Sequence, residues 1–374
     1  MKIGFDAKRA FCNTRGLGNY SRDTIRLLTE QFPENSYSLF TPRINESIQW
    51  TYNTHCASTI MPQGIHGKKL LSSIWRTWGI CKDIKRLDLD VYHGLSHELP
   101  YGIEKTHTRT VVTMHDLIFL KNPELFPFFD RYSFKKKYIH GCKTADRVIA
   151  ISEETKRDLM EYLHEEGSRI DVVYQGCNPV FHQPLKESEL ETIRQKYALP
   201  SEFMLIICAI ERRKNHELIL KAMRHPQLDI PLVVVGRPSE YKKYLETLIR
   251  EYGLEDRVIF LDAMPTTALP ALYRLASVFV YPSLFEGFGI PILEAITMGT
   301  PVVTSEGSCF RETGGKAAKY VDCNDSDQLA ETLLDVLQHQ DVRDGMVAAG
   351  YEHARNFTDE AVARNLMSVY KKIL

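Results

Sequence analysis

Short apolar runs rich in β-branched residues alternate with helical patterns along almost the whole chain. The runs occupy 2–6, 36–41, 90–94, 109–115, 147–151 and 170–174 in the first half, and 203–210, 231–236, 258–262, 278–282 and 301–304 in the second. Several are apolar throughout, which is typical of parallel strands buried on both faces. The pattern therefore predicts an α/β protein built from doubly wound parallel sheets.

The length of the chain predicts two domains, because 374 residues exceed what one compact core usually serves. Turn formers interrupt the pattern near Gly176. A last helix at 358–374 opens with a capping sequence and has no strand after it, so we expect it to pack on the first domain. We thus predict Rossmann-like domains over 1–178 (with helix 358–374) and 179–357.

Composition and charge exclude several classes of protein. The formal net charge of −1 gives no overall field that would attract nucleic acid, so no nucleic-acid partner is expected. No apolar stretch approaches the length of a membrane-spanning helix, and Asp6 precedes any possible signal-peptide core. The eight scattered cysteines and thirteen histidines lack the spacing of metal ligands. We therefore expect a cytoplasmic protein with reduced thiols and no metal.

The most informative segment follows the predicted strand 278–282. Its loop carries Glu286, and Gly287 and Gly289 allow close approach of the backbone to a ligand. The helix that starts there offers free N–H groups, which can hold phosphate or sugar oxygens. Glu294 lies about one turn into this helix, so the two carboxylates could accept hydroxyl hydrogen bonds from different parts of one elongated ligand.

A basic segment directly follows the first strand of the second domain. Arg213 offers a planar fork of donors and Lys214 a compact charge, which suits two adjacent phosphates. Fixed cations at this position would stabilise a departing diphosphate as its charge grows. A basic triplet at a strand end is otherwise most often a solvated helix start.

Two further patterns stand near predicted strand ends in the first domain. Gly16 and Gly18 open a helix, but Ser21 stands where a dinucleotide fingerprint needs a third glycine or alanine, which disfavours an NAD oxidoreductase. A tight strand-to-helix turn explains either glycine almost as well. His115, followed by Asp116, ends another strand, although a single histidine usually has no role in catalysis or binding.

The spacing of Glu286 and Glu294 resembles the Glu-x7-Glu signature of retaining glycosyltransferases of family 4. The resemblance implies the GT-B fold, in which two Rossmann-like domains face a central cleft. It also implies that Glu294 binds the ribose hydroxyls of a nucleotide-sugar donor and that Glu286 contacts the donor sugar. The backbone of Gly287, Phe288 and Gly289 would then lie near the sugar and phosphates.

The same resemblance assigns roles to the other patterns. Arg213 and Lys214 resemble the family's diphosphate clamp, but Arg212 stands where a proline is common, so it is open which arginine reaches the phosphates. The resemblance also implies positions for the remaining candidates. Gly16 and Gly18 would lie beneath the donor diphosphate, Gly236 at the nucleotide-side turn, and His115 beside the donor sugar.

The expected activity is transfer of a sugar, with retention, from a nucleotide diphosphate sugar to a glycan or lipid-linked acceptor. The motif forms resemble those of bacterial mannosyl- and rhamnosyltransferases of lipopolysaccharide and other surface polysaccharide, which makes GDP-mannose the leading donor and UDP-sugars the next. A nucleotide-sugar epimerase of the same fold and an inactive partner subunit remain alternatives. Asp88 and Asp90 spell a metal-binding Asp-x-Asp pattern, but the cationic clamp already supplies the charge of a metal, so no metal or other cofactor is expected.

A basic helix is predicted at 68–87, with apolar residues at 70, 74, 78, 81, 84 and 87 forming one face. A helix that faces the core is the simpler interpretation. The alternative is peripheral contact with anionic lipid on the inner face of the plasma membrane, to which Lys135 and Lys137 would add charge.

Overall fold

The computed structural model describes residues 1–63, 69–262 and 264–374, so Lys68, where the expected basic helix begins, lies outside the described residues. The chain divides into two compact units. Residues 1–175 and 359–374 form the first, here called the N-terminal unit, and residues 176–358 form the C-terminal unit.

The described residues of the N-terminal unit form a seven-stranded parallel sheet with the order β3-β2-β1-β4-β5-β6-β7. The strands are β1 (Lys2–Asp6), β2 (Ser36–Phe40), β3 (Ala57–Ile60), β4 (Val91–Gly94), β5 (Arg109–Met114), β6 (Arg147–Ala150) and β7 (Ile170–Val172). Side chains on the inner strands are almost fully buried, as helices on both faces of a parallel sheet require. The order reverses direction beside β1, so the loops after β1 and β4 lie where such sheets commonly bind ligands.

Helices connect and cover this sheet. They are α1 (Lys8–Cys12), α2 (Gly16–Gln31), α3 (Lys69–Ile74), α4 (Ile80–Leu87), α5 (Ile118–Lys121), α6 (Phe128–Thr144) and α7 (Glu153–Leu163). One π-helical turn, Trp75–Gly79, joins α3 to α4.

The π-helical turn changes the face of the basic helix expected at 68–87. Ile74 and Trp78 of the predicted apolar face are 46% and 57% exposed, whereas Trp75 and Ile80 are buried. A π-helical turn inserts extra chain into the helical repeat, so the buried face rotates as it passes through that turn. The single apolar face predicted from the sequence is therefore wrong.

The C-terminal unit contains a second parallel sheet, six-stranded over its described residues, with the order β10-β9-β8-β11-β12-β13. Its strands are β8 (Met204–Ile207), β9 (Leu232–Val235), β10 (Val258–Leu261), β11 (Val278–Tyr281), β12 (Val302–Ser305) and β13 (Ala318–Val321). Its helices are α8 (Glu187–Lys196), α9 (His216–Ala222), α10 (Glu240–Tyr252), α11 (Leu269–Leu275), α12 (Ile290–Thr297), α13 (Phe310–Gly314), α14 (Ser326–Gln338) and α15 (Gln340–Ala354). The order reverses between β8 and β11, which sets the loops after these two strands side by side.

The last helix, α16 (Asp359–Lys371), belongs to the N-terminal unit. Arg26 of α2 donates to Asp359 at 2.8 Å, and the Tyr370 hydroxyl bonds Nδ1 of His93 on β4 at 2.7 Å. The buried apolar face of α16 thus completes the core of this unit.

None of the helices in the described ranges is both long and apolar enough to cross a bilayer.

Candidate active site

The site is built around Glu286, which lies in the loop between β11 and α12. Its side chain is 13% exposed, and four donors converge on one of its oxygens, Oε1. The donors are Arg213 Nη1 at 3.1 Å, the Tyr281 hydroxyl at 3.0 Å, the Ser283 hydroxyl at 2.7 Å, and Lys214 Nζ in direct contact. Oε2 accepts no hydrogen bond from any residue that the structure describes, so it is free to accept one from a ligand.

The strand end explains how these donors meet. Tyr281 is the last residue of β11 and Ser283 follows two positions later, so both side chains reach the same side of the chain. The loop is then held from the other side, because Ser308 Oγ and Cys309 Sγ donate to the Glu286 carbonyl at 3.1 and 3.3 Å. The Glu286 side chain is therefore positioned by its neighbours before any ligand arrives.

Arg213 and Lys214 reach Glu286 from a single 3-10 turn, Arg212–Lys214, that follows β8. The turn ends at Asn215, which adopts the left-handed conformation (φ 57°) and donates to the Cys323 carbonyl at 2.8 Å. The Arg213 carbonyl also accepts from the Leu284 N–H at 2.8 Å, which ties the two loops together. Arg213 and Lys214 point to the carboxylate, whereas Arg212 is exposed.

The charges of this cluster determine its protonation. Burial alone would raise the pKa of Glu286, but the charges of Lys214 and Arg213 and their hydrogen bonds lower it to about 2. Burial also opposes the charge on Arg213, yet the nearby Glu286 raises the pKa of that guanidinium. Glu286 is therefore ionised at neutral pH and lies between the side chains of Arg213 and Lys214.

The start of α12 presents backbone groups beside Glu286. Gly289 precedes the helix with φ 87°, a conformation that glycine adopts without strain, and a proline occupies the first turn. The Phe288 carbonyl accepts from the Thr313 hydroxyl, and the Phe288 ring is buried against Phe357 at 5.6 Å. These contacts fix the backbone from Gly287 to Gly289 beside the helix N-terminus, where N–H groups favour anions.

Glu294 lies further along α12 and has a different environment. Its carboxylate accepts from the Tyr273 hydroxyl of α11 at 2.8 Å. No cation of the described residues is paired with it, and burial raises the pKa of Glu294 to about 7, opposed only by the hydrogen bond from Tyr273. The two glutamates of the motif therefore have opposite protonation preferences.

Gly236 follows β9, the strand next to β8. A Cβ atom at this position would lie 1.9 Å from the Cys208 carbonyl oxygen, so only glycine fits. The close approach of two strand ends thus explains this glycine within the fold.

The remaining candidates lie in the N-terminal unit. His115 follows β5, donates from Nε2 to the Leu95 carbonyl at 2.9 Å, and meets the ring of Tyr20 edge-on at 4.5 Å. Burial lowers the pKa of His115 to about 4, so the imidazole is neutral at pH 7. A Cβ atom on Gly18 would lie 1.8 Å from the Asn13 carbonyl, whereas Gly16 has open space beside it.

Asp88 and Asp90, which spell Asp-x-Asp, each have a partner on Lys2. Asp88 pairs with the Lys2 ammonium at 3.3 Å, and Asp90 accepts from the Lys2 backbone N–H at 2.7 Å. These bonds tie the start of β1 to the segment before β4. In the part of the chain that the structure describes, no group of three or more His, Cys, Asp or Glu side chains is arranged to hold a metal ion.

Two family profiles match the chain in succession. The profile described as "Glycosyltransferase Family 4" matches residues 15–181, and that described as "Glycosyl transferases group 1" matches residues 190–353. The chain belongs to glycosyltransferase family 4. The family 4 enzyme is thus a hexosyltransferase by class, and its two parallel-sheet units form the expected GT-B fold.

The family 4 enzyme is similar over its whole length to the O-antigen chain mannosyltransferase B of Escherichia coli, with 28% identity over 99% of this chain and 100% of the relative. Its fold resembles that of a sucrose-phosphate synthase from Thermosynechococcus elongatus, with a TM-score of 0.79, 20% identity and coverage of 100% and 98%. It also resembles Anabaena HepE in complex with UDP, with a TM-score of 0.77, 16% identity and complete coverage of both chains.

Sequence reasoning found the ionic residues of this site in the family 4 enzyme but missed their hydroxyl partners. Tyr281, Ser283 and Tyr273 donate to the two motif glutamates, and none was singled out. For Tyr281 and Ser283 a signal was available, because they sit two residues apart at the end of a predicted strand. Tyr273 lies on another helix, and no local pattern connects it to Glu294.

Proposed function

We propose that the enzyme transfers a sugar, with retention at the anomeric carbon, from a nucleotide diphosphate sugar to a glycan or lipid-linked acceptor in the synthesis of surface polysaccharide. The convergence of Arg213 and Lys214 on Glu286 at the ends of β8 and β11 carries this proposal. It joins two cations that suit a diphosphate with a carboxylate that suits a sugar hydroxyl.

The two cations stabilise the leaving group. As the bond from the anomeric carbon to the diphosphate breaks, negative charge grows on the diphosphate oxygens, and Arg213 and Lys214 neutralise it. Because they are held beside Glu286 in advance, little reorganisation is needed during the reaction. Fixed side-chain cations thus take the role that a divalent metal has in other transferases, so full activity is expected in the presence of EDTA.

The acids hold the donor by its hydroxyl groups. The free Oε2 of Glu286 accepts from a hydroxyl of the donor sugar, while Glu294 accepts from the ribose hydroxyls. The backbone from Gly287 to Gly289 contributes N–H groups near the phosphates. His115, neutral at pH 7, hydrogen-bonds a sugar hydroxyl and is not a nucleophile.

GDP-mannose is the first candidate donor, because the relative that matches over the full length is named as an O-antigen mannosyltransferase. A UDP-sugar is the second, because HepE has the same fold and its structure contains UDP. Retention is checked by NMR of the first-formed product, in which the anomeric configuration of the donor should persist. An inverted product would contradict the proposed stereochemistry.

Thermal-shift titration with GDP-, UDP- and dTDP-sugars tests donor binding, since a bound donor raises the melting temperature by mass action. The matched pair Arg213→Gln and Arg212→Gln removes one charge from adjacent positions of the same turn. We expect Arg213→Gln to weaken donor binding by about tenfold or more and Arg212→Gln to leave it nearly unchanged. Equal effects, or a folded protein that binds no activated sugar, would contradict the proposal.

Peripheral contact with an anionic membrane accompanies this function. The start of α6 exposes Phe128, Phe129 and Tyr132 by 66%, 82% and 55%, and Lys135 and Lys136 follow on the same helix. Exposed aromatic side chains beside lysines suit the interface of an anionic bilayer. The wild-type protein should float with vesicles containing phosphatidylglycerol, and Phe128→Ser with Phe129→Ser should remain in the soluble fraction. Flotation that is equal for both proteins would contradict this role of α6.

A further inference from the structure

A cavity of about 290 Å³ lies within the N-terminal unit, at the ends of β1 and β4. We call it the Arg76 pocket; its walls include Asp6, Lys8, Arg76, Glu98, Tyr101 and Lys137. Among these residues the sequence patterns named only Lys137 as a candidate binding group, toward anionic lipid. The pocket lies where the order of a doubly wound sheet reverses, a common position for ligands in such sheets.

Arg76 organises the charges of this pocket. Its guanidinium bonds both oxygens of Asp6, and its Nη1 donates to Glu98 Oε2 at 2.5 Å. Lys137 Nζ donates to the other oxygen of Glu98 at 2.9 Å. Burial would raise the pKa of Glu98, but Arg76 and Lys137 lower it to about 2. Glu98 is therefore ionised, and both carboxylates of the pocket already have cationic partners.

The π-helical turn Trp75–Gly79 brings Arg76 to this position. Such turns are uncommon and occur frequently at functional sites. Here the turn buries the ring of Trp75 and directs Arg76 to the end of β1. The Thr77 carbonyl accepts from the Tyr101 N–H at 2.9 Å, which ties the turn to another lining residue of the pocket.

Lys8 is the unbalanced group. Three cations and two carboxylates line the pocket, and the Lys8 ammonium forms no ion pair or hydrogen bond with any residue in the described part of the chain. Burial and the nearby charge of Arg76 lower the pKa of Lys8, although Glu98 and Asp6 oppose this. A partly buried ammonium without a partner is unfavourable for the fold, and an anionic ligand would relieve this cost.

Another part of the pocket wall is aromatic. The ring of Tyr101 stacks on His140 at 3.9 Å and on Trp78 at 5.8 Å, and the flanking Leu99 and Pro100 add apolar surface. Ligand sites typically combine such an apolar wall with a few placed polar groups. At about 30 Å³ for each water molecule of liquid, the cavity has the volume of roughly ten waters, enough for one six-membered ring with a substituent.

We propose that the Arg76 pocket binds an anionic sugar residue of the acceptor, a six-membered ring that carries a phosphate or a carboxylate, and that Lys8 selects its charge. This assignment rests on the proposed transferase function, because it gives the pocket a role toward the acceptor. The anion pairs with Lys8, ring hydroxyls donate to the remaining lone pairs of the Asp6 and Glu98 carboxylates, and the apolar ring face lies on the aromatic wall.

Calorimetric titration of the full chain with glucose 1-phosphate, glucuronic acid and glucose tests this assignment. We expect at least one anionic sugar to bind about tenfold or more tightly than glucose, and added salt to weaken it. The tighter of the two anionic sugars identifies phosphate or carboxylate as the group recognised. Equal binding of glucose, or equal binding of inorganic phosphate and glucose 1-phosphate, would overturn the assignment.

Two substitutions of single lysines separate ligand binding from structure. Lys8→Met should weaken binding of the anionic sugar by about tenfold. Lys143→Met, which changes an exposed lysine at the end of α6, should leave this binding unchanged. Lys8→Met should also melt at the same temperature or higher, because it removes a charge that the fold disfavours. Unchanged affinity, or a lower melting temperature with lost binding, would overturn the role of Lys8.

Arg213→Gln distinguishes this site from the donor site. Binding of sugar phosphate at the Arg76 pocket should be unchanged by Arg213→Gln and lost in Lys8→Met. The reverse pattern would assign the bound sugar phosphate to the donor site instead. Donor binding by nucleotide sugars is measured in parallel on Lys8→Met and should be unchanged. If only the proposal for the Arg76 pocket is wrong, nucleotide sugars will still bind. If the proposed transferase function is wrong, neither the wild-type protein nor any variant will bind a nucleotide sugar.

Discussion

Glu286 and Glu294 are eight residues apart and both largely buried, yet their surroundings act on them in opposite directions. The region of Glu286 provides two cations and two hydroxyls, and the pKa of this carboxyl is lowered to about 2. The region of Glu294 provides one tyrosine hydroxyl, and burial raises the pKa of this carboxyl to about 7. Burial disfavours charge in both regions, so the paired cations account for the difference.

The comparison separates two kinds of binding group. Glu286 is ionised at all physiological pH values and fixed by its partners, which suits a group that must hold a charged cluster together. Glu294 changes its charge near neutrality, so its ability to accept hydrogen bonds depends on pH. The following predictions test this contrast, beginning with the largest expected effect.

Replacing Glu286 by Gln should destabilise the protein most. The change removes the carboxylate that lies between Arg213 and Lys214, and the loss of one member of a buried ion pair costs about 3 kcal/mol in the free energy of unfolding. Because the folded pKa of about 2 lies below the ordinary value of 4.5, this stabilisation is present above pH 4.5 and lost as the pH falls through 2. Urea unfolding of both proteins at pH 7 measures this loss of stability.

Glu211→Gln is the matched control for that variant. Glu211 also pairs with Arg213 at 3.1 Å, but its side chain is 45% exposed. An exposed pair contributes little, so the control should change the free energy of unfolding by less than about 1 kcal/mol. Equal losses in the two variants would show that burial of Glu286 is not what makes its pairing strong.

Replacing Glu294 by Gln should stabilise the protein at high pH, which is the opposite of the effect expected for Glu286→Gln. The folded pKa of about 7 lies above the ordinary value of 4.5, so the stability that Glu294 contributes is present below pH 4.5 and lost as the pH rises through 7. At pH 8 the variant avoids a buried charge and should be about 2 kcal/mol more stable than wild type, with little difference at pH 4. Denaturant unfolding at both pH values decides, and a destabilised variant at pH 8 would contradict the unpaired state of Glu294.

Donor affinity should follow the ionisation of Glu294. If the carboxylate accepts the ribose hydroxyls, the dissociation constant of the preferred nucleotide sugar should fall nearly tenfold between pH 6 and pH 8. Glu294→Gln should remove this dependence, because its amide does not titrate. A pH profile that is identical in the two proteins would exclude Glu294 as its origin.

The hydroxyl donors should give the smallest effects. Ser283→Ala removes one of four donors to Glu286 and should lower the free energy of unfolding by about 1 kcal/mol without altering the pH profile of donor binding. Tyr273→Phe removes the hydrogen bond that lowers the pKa of Glu294, so the midpoint of that profile should move to higher pH. An unshifted midpoint in Tyr273→Phe would indicate another donor to Glu294.

Much of the architecture follows from local patterns. The apolar runs predicted most of the strands, because a strand buried on both faces must be apolar along its whole length. Strands β3 and β13 were missed, since neither forms a continuous apolar run. The basic helix was predicted with the wrong buried face, because nothing in a regular 3.6-residue period signals a π-helical turn.

The motif spacing was sufficient to single out Glu286 and Glu294 as candidates, because residue type and separation along the chain are properties of the sequence. Only the tertiary structure decided that Arg213 and not Arg212 faces Glu286, and that Glu294 has a tyrosine and, among the described residues, no paired cation. These outcomes depend on a left-handed turn at Asn215 and on a helix more than ten residues away. Charge and burial are properties of neighbours in space, and such neighbours are assembled only when the strands align in the sheet.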